Sequence, residues 1–166
     1  MKLILPKDSR LDAPVRLLYR GAYLGLRAKW RLLGGRTHGA LVAFRQGDRV
    51  LLVQNSYRKG LSFPGGYVHP DEAPVEAARR EVLEEIGLRV DASQLRHVFT
   101  RDYRFEDHDD TVDVFELVVD APIQLATDRR EILWADFLPL TEAQGRMLVP
   151  QVRDYVELAL QGPTHG

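Results

Sequence analysis

Glu81, Glu84 and Glu85 are the residues whose type and spacing most directly suggest chemistry. On a helix advancing about 100° per residue, Glu84 lies about 60° behind Glu81 and Glu85 about 40° ahead of it. The three carboxylates therefore share one face. Like charges this close destabilise a surface helix by roughly a few tenths of a kcal/mol per pair, so something should compensate them. Arg80, four residues after Glu76 and four before Glu84, is a partial internal answer. A divalent cation is a stronger one, because it neutralises several oxygens together. The chain has no cysteine, which excludes disulfides, thiolate nucleophiles and thiolate zinc sites and leaves carboxylates and histidines as side-chain ligands. The expected chemistry is that of a hard cation on oxygen ligands. The plain alternative is an acidic helix face in solvent.

The surrounding elements favour the first reading. Val75, Ala78, Val82 and Ile86 give the same helix an apolar face that can pack on a sheet. Its carboxylates then project beside Gly65 and Gly66, where backbone can approach a bound group closely. Asp71 is placed to cap the helix, Pro74 suits its first turn, and Gly87 ends it. Upstream, the short apolar runs 39–45 and 49–54 read as a hairpin, 55–60 as a polar loop and 61–63 as a brief extended piece. Downstream, 96–105, 111–119 and 131–138 read as strands and 150–160 as a closing helix. Before all of these, residues 15–33 carry Leu18, Ala22, Leu26, Trp30 and Leu33 at helical spacing, opposite Arg16, Arg20, Arg27 and Arg31. This basic amphipathic helix can cover a core or a second subunit, or lie on an anionic membrane or RNA; the first account is preferred. The elements together predict an α/β fold, a mixed sheet covered by helices on both faces.

The run from Gly66 to Leu88 also resembles the Nudix box, G-x5-E-x7-R-E-U-x-E-E-x-G-U with U aliphatic. Gly66, Glu72, Arg80, Glu81, Val82, Glu84, Glu85, Gly87 and Leu88 fill every fixed and aliphatic position. The resemblance implies an α/β/α sandwich, preceded here by the N-terminal helix. It implies an enzyme that hydrolyses the pyrophosphate of a nucleoside diphosphate linked to another group, by water attack at phosphorus, with Mg²⁺ or Mn²⁺ as cofactor. It further implies Glu81 and Glu85 as principal metal ligands, Glu84 as a further or water-mediated one and the Gly66 carbonyl as a backbone ligand. Arg80 would hold the glutamates and Glu72 would brace the loop. Glu85 is the first choice for general base, with Glu131 and Glu116 as candidates for a remote acid. Many relatives carry an acid where this chain has His69. A box-bearing module that binds a nucleotide or RNA without turning it over is the alternative function; an intact glutamate set argues for catalysis.

The length of 166 residues fits one domain, taken as an extension 1–36 and a core 37–166. No repeat or linker divides it. With 23 basic and 24 acidic side chains the net charge is −1, so nothing global demands a nucleic acid or membrane. The expected partner is a small nucleotide-type substrate, without a stable nucleic-acid partner, and a homodimer is left open. No apolar run is long enough for a membrane span or a signal peptide, and a cytoplasmic location is expected. Tyr57 and Arg58 of the loop before the box, with Phe63 in its lead-in, are the candidates for substrate binding. The acidic stretch Asp102 to Asp110 reads as a hydrated hairpin loop, or as a lid that carries Tyr103 or Phe105.

Overall fold

The computed structural model describes residues 14, 15, 17, 18, 21–25, 29, 35–105, 108–120, 123, 125 and 131–162. Strand β1 (Arg36–Gln46) is the spine. Its near-continuous apolar run sends Ala40, Val42 and Phe44 to one core and Leu41 and Ala43 to the other. A strand buried on both faces has to be central. A two-residue turn, with Gly47 at φ 60°, returns the chain into β2 (Arg49–Asn55). Positive φ at the first turn residue suits glycine and matches the strand twist. The pairing is brief. Only Arg45 with Val50 and Gln46 with Arg49 are in register before β2 leaves to pair along β6 (Ile132–Pro139).

The wedge between the diverging strands is filled by the segment that follows. Ser62 pairs with Val53 of β2, and the Val42 amide donates to the Pro64 carbonyl. Strand β3 (Gly65–Tyr67) then runs antiparallel to Gly39–Leu41 of β1. Glycine is required there: a Cβ on Gly65, at φ 142°, would lie 2.2 Å from the Ala40 carbonyl oxygen. On the far side of β1, β5 (His108–Val118) is parallel to it and β4 (Arg96–Phe105) is antiparallel to β5. The strand order is β4-β5-β1-β2-β6, with β3 on β1.

Helix α1 (Pro74–Ile86) covers one face through Ala77, Ala78, Val82 and Ile86. It begins later than a cap at Asp71 would place it. The Glu72 amide bonds the His69 carbonyl, Asp71 takes φ 67°, and Ala73 becomes the N-cap without a side-chain bond. The left-handed backbone that aspartate tolerates has replaced the capping role. Gly87, at φ 70°, ends the helix as expected. Helices α2 (Leu140–Gln144) and α3 (Pro150–Leu160) cover the other face, so the layers are helix, sheet, helix. None of the helices searched among the described residues is long and apolar enough to cross a membrane.

Several sequence readings change here. The segment 102–110 is mostly strand, paired from Asp102 with Thr111 to Phe105 with His108. A charged run can stay in a ladder when its side chains alternate towards solvent. Tyr103 is no lid residue: its hydroxyl donates to Asp154 of α3 at 2.8 Å. Phe63 is 1% exposed, meets Tyr155 edge-on at 5.1 Å and belongs to the core under α3. The amphipathic helix 15–33 falls largely outside the described residues. Within it, residues 21–25 are helical and Leu18 is exposed.

Beside the core, Asp113 of β5 ties three strands together. It accepts from His38 of β1 at 2.6 Å, from His97 of β4 at 2.9 Å and from the Thr100 hydroxyl. Burial pushes its carboxyl up, but these bonds outweigh burial and hold it below the usual range.

Two outcomes follow. Phe63→Ala should lower the stability read from urea midpoints by about 3 kcal/mol or more, as a core truncation does. A depressed carboxyl gives stability that is present above its unfolded pKa and lost as pH falls through the folded one. Wild-type stability should therefore fall more steeply than that of Asp113→Asn between about pH 5 and about pH 2, measured by urea unfolding at each pH.

Candidate active site

The wedge strand and the acidic helix meet at the box. α1 packs over Ala40 and Val42, which brings its carboxylate face onto β3. The contact is close: a Cβ on Gly66 would lie 2.5 Å from the Glu81 carboxyl carbon. Glu85, although charged by type, is 4% exposed, and it accepts the Gly65 amide at 2.9 Å. Glu84, on the outer edge of the same face, is 60% exposed.

Arg80 organises the acids around it. Its Nε and one terminal nitrogen grip both oxygens of Glu72 at 3.0 Å, and its other terminal nitrogen donates to Glu81 at 2.6 Å. It also donates to the Tyr67 carbonyl at 2.8 Å and stands 3.6 Å from Glu84. The expected pairing with Glu76 is not made, because Arg79 takes that carboxylate at 2.7 Å. Glu72 in turn accepts the His69 amide at 3.0 Å. Helix, loop and strand are thus joined through one guanidinium, whose planar fork suits this bidentate grip. His69 contributes through its backbone, and its ring rests 5.7 Å from that of Tyr67.

Electrostatically the acids divide into two kinds. The Arg80 bonds hold the Glu72 carboxyl down to about 2, helped by the His69 amide. Burial pushes Glu85 well above the usual carboxylate range, the Gly65 bond opposes this, and the charges of Glu131 and Glu81 add to it. Burial also raises Glu81, with Arg80 opposing. Several buried acids near one another call for a positive partner.

Of the two remote acids, Glu131 is at this site and Glu116 is not. The Tyr57 hydroxyl donates to Glu131 at 3.0 Å, and burial first, then the Glu131 and Glu85 charges, raise the phenol. Glu116 lies on the opposite face of the sheet, accepting from Arg96 at 2.7 Å and from the Tyr155 hydroxyl. Tyr57 and Arg58 do face the site, and Tyr23 joins them: its ring is 5.0 Å from that of Tyr57, and the Arg58 guanidinium is 5.7 Å from its centre. Tyr23 was missed because its helix shows no link in sequence to the box. The common space is a pocket of about 640 Å³ whose lining includes Tyr23, Tyr57, Arg58, Glu131, Gly65 and Gly66.

The donor set is all oxygen: Glu81, Glu84, Glu85 and the Gly66 carbonyl, which suits magnesium or manganese. Among the described residues these groups do not close a metal cage by themselves. Arg80 engages one oxygen of Glu81 and the Gly65 amide one of Glu85.

Comparison with known proteins agrees with this geometry. The Nudix domain model matches residues 35–158. The NAD-capped RNA hydrolase NudC of Klebsiella pneumoniae is 30% identical over 125 residues, covering 71% of this chain and 47% of its own. An RNA pyrophosphohydrolase of Xylella fastidiosa is 42% identical over 62 residues, 37% of this chain and 33% of its own. The chain thus spans between a third and a half of the length of these curated relatives. Among solved structures, the dihydroneopterin triphosphate pyrophosphohydrolase of E. coli aligns with a TM-score of 0.65 at 22% identity, covering 76% of this chain and 96% of that one. A Nudix hydrolase of Burkholderia pseudomallei gives 0.64 at 18% identity, covering 74% and 97%, and both share the fold. With the complete box on α1, the glycine strand beneath it and a family match that spans the whole sheet, the chain belongs to the Nudix family.

Proposed function

We propose that the chain is a metal-dependent pyrophosphohydrolase acting on a nucleoside diphosphate linked to another group. One observation carries the reading: Glu85 is buried on the acidic face, against the amide of Gly65, and feels the charges of Glu81 and of Glu131, while Gly65, Gly66 and Glu131 line the neighbouring pocket. A module that only binds has no need of so costly an arrangement of buried carboxyls. Relatives whose names describe RNA pyrophosphohydrolases and an NAD-capped RNA hydrolase support the same reaction class.

In this reading Glu81, Glu85 and the Gly66 carbonyl hold Mg²⁺ or Mn²⁺, with Glu84 as an outer ligand. When bound, the cation neutralises phosphate charge and polarises the P–O bond. Glu85 receives the proton of the attacking water on the carboxylate oxygen that Gly65 does not engage. The water oxygen bonds to phosphorus, the anhydride P–O bond breaks, and a nucleoside monophosphate and a second phosphate ester leave. Glu131, held by Tyr57, is the remote acid. Arg80 keeps Glu81 in place and fixes the loop through Glu72, which makes it a positioning residue. Tyr57 and Arg58 contact the substrate, Arg58 through phosphate charge. The same proposal takes residues 37–166 as the catalytic core with 1–36 as an extension. It takes the cytoplasm as the location, which the cysteine-free sequence suits.

Glu85→Gln keeps an acceptor for the Gly65 amide, so the fold should persist by circular dichroism. Mg²⁺-dependent release of nucleoside monophosphate should fall by about 10² to 10⁴, whereas Glu116→Gln should retain it. Full turnover in Glu85→Gln would remove that residue from the mechanism. Arg80→Lys replaces a fork with a single ammonium, and hydrogen exchange at residues 67–72 should accelerate by about tenfold.

A further inference from the structure

The basic segment that precedes the sheet carries an apolar face turned away from the rest of the chain. Its described residues, 14, 15, 17, 18, 21–25 and 29, are all helical. Tyr23 is the side that meets the fold, its ring against Tyr57 and beside Arg58. Leu17, Leu18 and Leu24 are 71%, 73% and 63% exposed. At about 100° per residue these leucines fall within an arc of about 120°, and Tyr23 lies about 160° from its middle. Gly21 and Gly25 fall in the same arc, and a Cβ on either would meet nothing within 4 Å. Single apolar side chains on a surface are ordinary, whereas three on one face of one helix form a patch. A helix that served only to cover the core would turn its leucines inward.

The charge of the segment indicates what covers the patch. Between Asp12 and Asp48 the sequence holds no acidic residue, and Arg16, Arg20, Arg27, Lys29 and Arg31 are interspersed with the leucines. The whole chain has a net charge of −1, so this excess is local. Leucines among cations, on a helix that does not span a bilayer, are the pattern of a helix lying in the plane of an anionic membrane. A second copy would bring the same cations against these. RNA would engage the cations and leave the leucines in water. An anionic bilayer accommodates both.

We propose that this helix docks the protein on an anionic lipid bilayer, with Leu17, Leu18 and Leu24 entering the boundary between headgroups and acyl chains and the basic side chains of the segment held at the headgroups. Tyr23 stays on the far side of the helix, so docking leaves its contacts with Tyr57 and Arg58 in place. The cytoplasmic leaflet, with its anionic lipids, is the matching surface for the location proposed above. The proposal is independent of the hydrolase reading.

The test is flotation of the full chain with vesicles of phosphatidylcholine alone and of an equal mixture with phosphatidylglycerol. Binding to the mixed vesicles should be about tenfold or more stronger and should weaken as salt screens the charges. Leu17→Gln/Leu24→Gln keeps every charge and should weaken that binding by about tenfold. Its urea midpoint should match wild type, because both positions are exposed. If the double variant fails to fold, Leu18→Gln takes its place, with a loss of about threefold or more expected. Failure to float with the mixed vesicles, or equal flotation of the leucine variant, would overturn the proposal. So would a wild-type dimer in sedimentation equilibrium that the variant breaks, or capture of a single-stranded RNA oligonucleotide in place of vesicles. Since no substrate is present, loss of the hydrolase reading through Glu85→Gln remains a separate result.

Discussion

The site depends on one steric constraint: between β1 and the acidic helix there is space for backbone and none for a Cβ. At Gly65 the limit is the Ala40 carbonyl and at Gly66 it is the Glu81 carboxylate. Because β3 can lie this close, it completes β1 where β2 has turned away, and the buried α1 settles directly onto it. The burial of Glu85 follows from that descent, and so does its bond to the Gly65 amide. A side chain at Gly65 would force β3 off β1, and one at Gly66 would displace the Glu81 carboxylate from its place over the strand.

Close approach brings an electrostatic problem, which the fold handles unevenly. Arg80 fully engages Glu72 and partly engages Glu81, while Glu85 has one amide and the charge of Arg58 to set against burial and the like charges of Glu131 and Glu81. One acid is thus fixed as a structural anion and another is left under-compensated. Environments that push neighbouring acids apart in this way mark a division of labour in enzymes. The division here separates the loop brace from the residue assigned to proton transfer. It is achieved by a single guanidinium, placed so that its fork faces Glu72.

Much of this was legible in the sequence where the signal is periodic or local. Strand β4 and helix α3 appear at their expected bounds, and the β1 and β2 hairpin follows from apolar runs around Gly47. The face shared by Glu81, Glu84 and Glu85 follows from helical geometry. The wedge strand was not legible, since Gly65 and Gly66 carry no strand signal of their own until the splayed edge of β1 exists to pair with them. Phe63 adjoins the box and so reads as a substrate contact, yet the folded chain packs it against Tyr155 under α3. Glu131 and Glu116 are equivalent as isolated glutamates. Only the tertiary fold puts one beside Tyr57 and the other beneath Arg96.

The same logic explains why the box leaves the substrate undefined. Residues that face the phosphates lie within one helix and one strand, so their spacing is fixed by local geometry. The remaining wall comes from β1, β5 and α3, elements far apart in sequence that meet only in the folded chain. Change there can alter what the pocket accepts without replacing any of the glutamates of the helix.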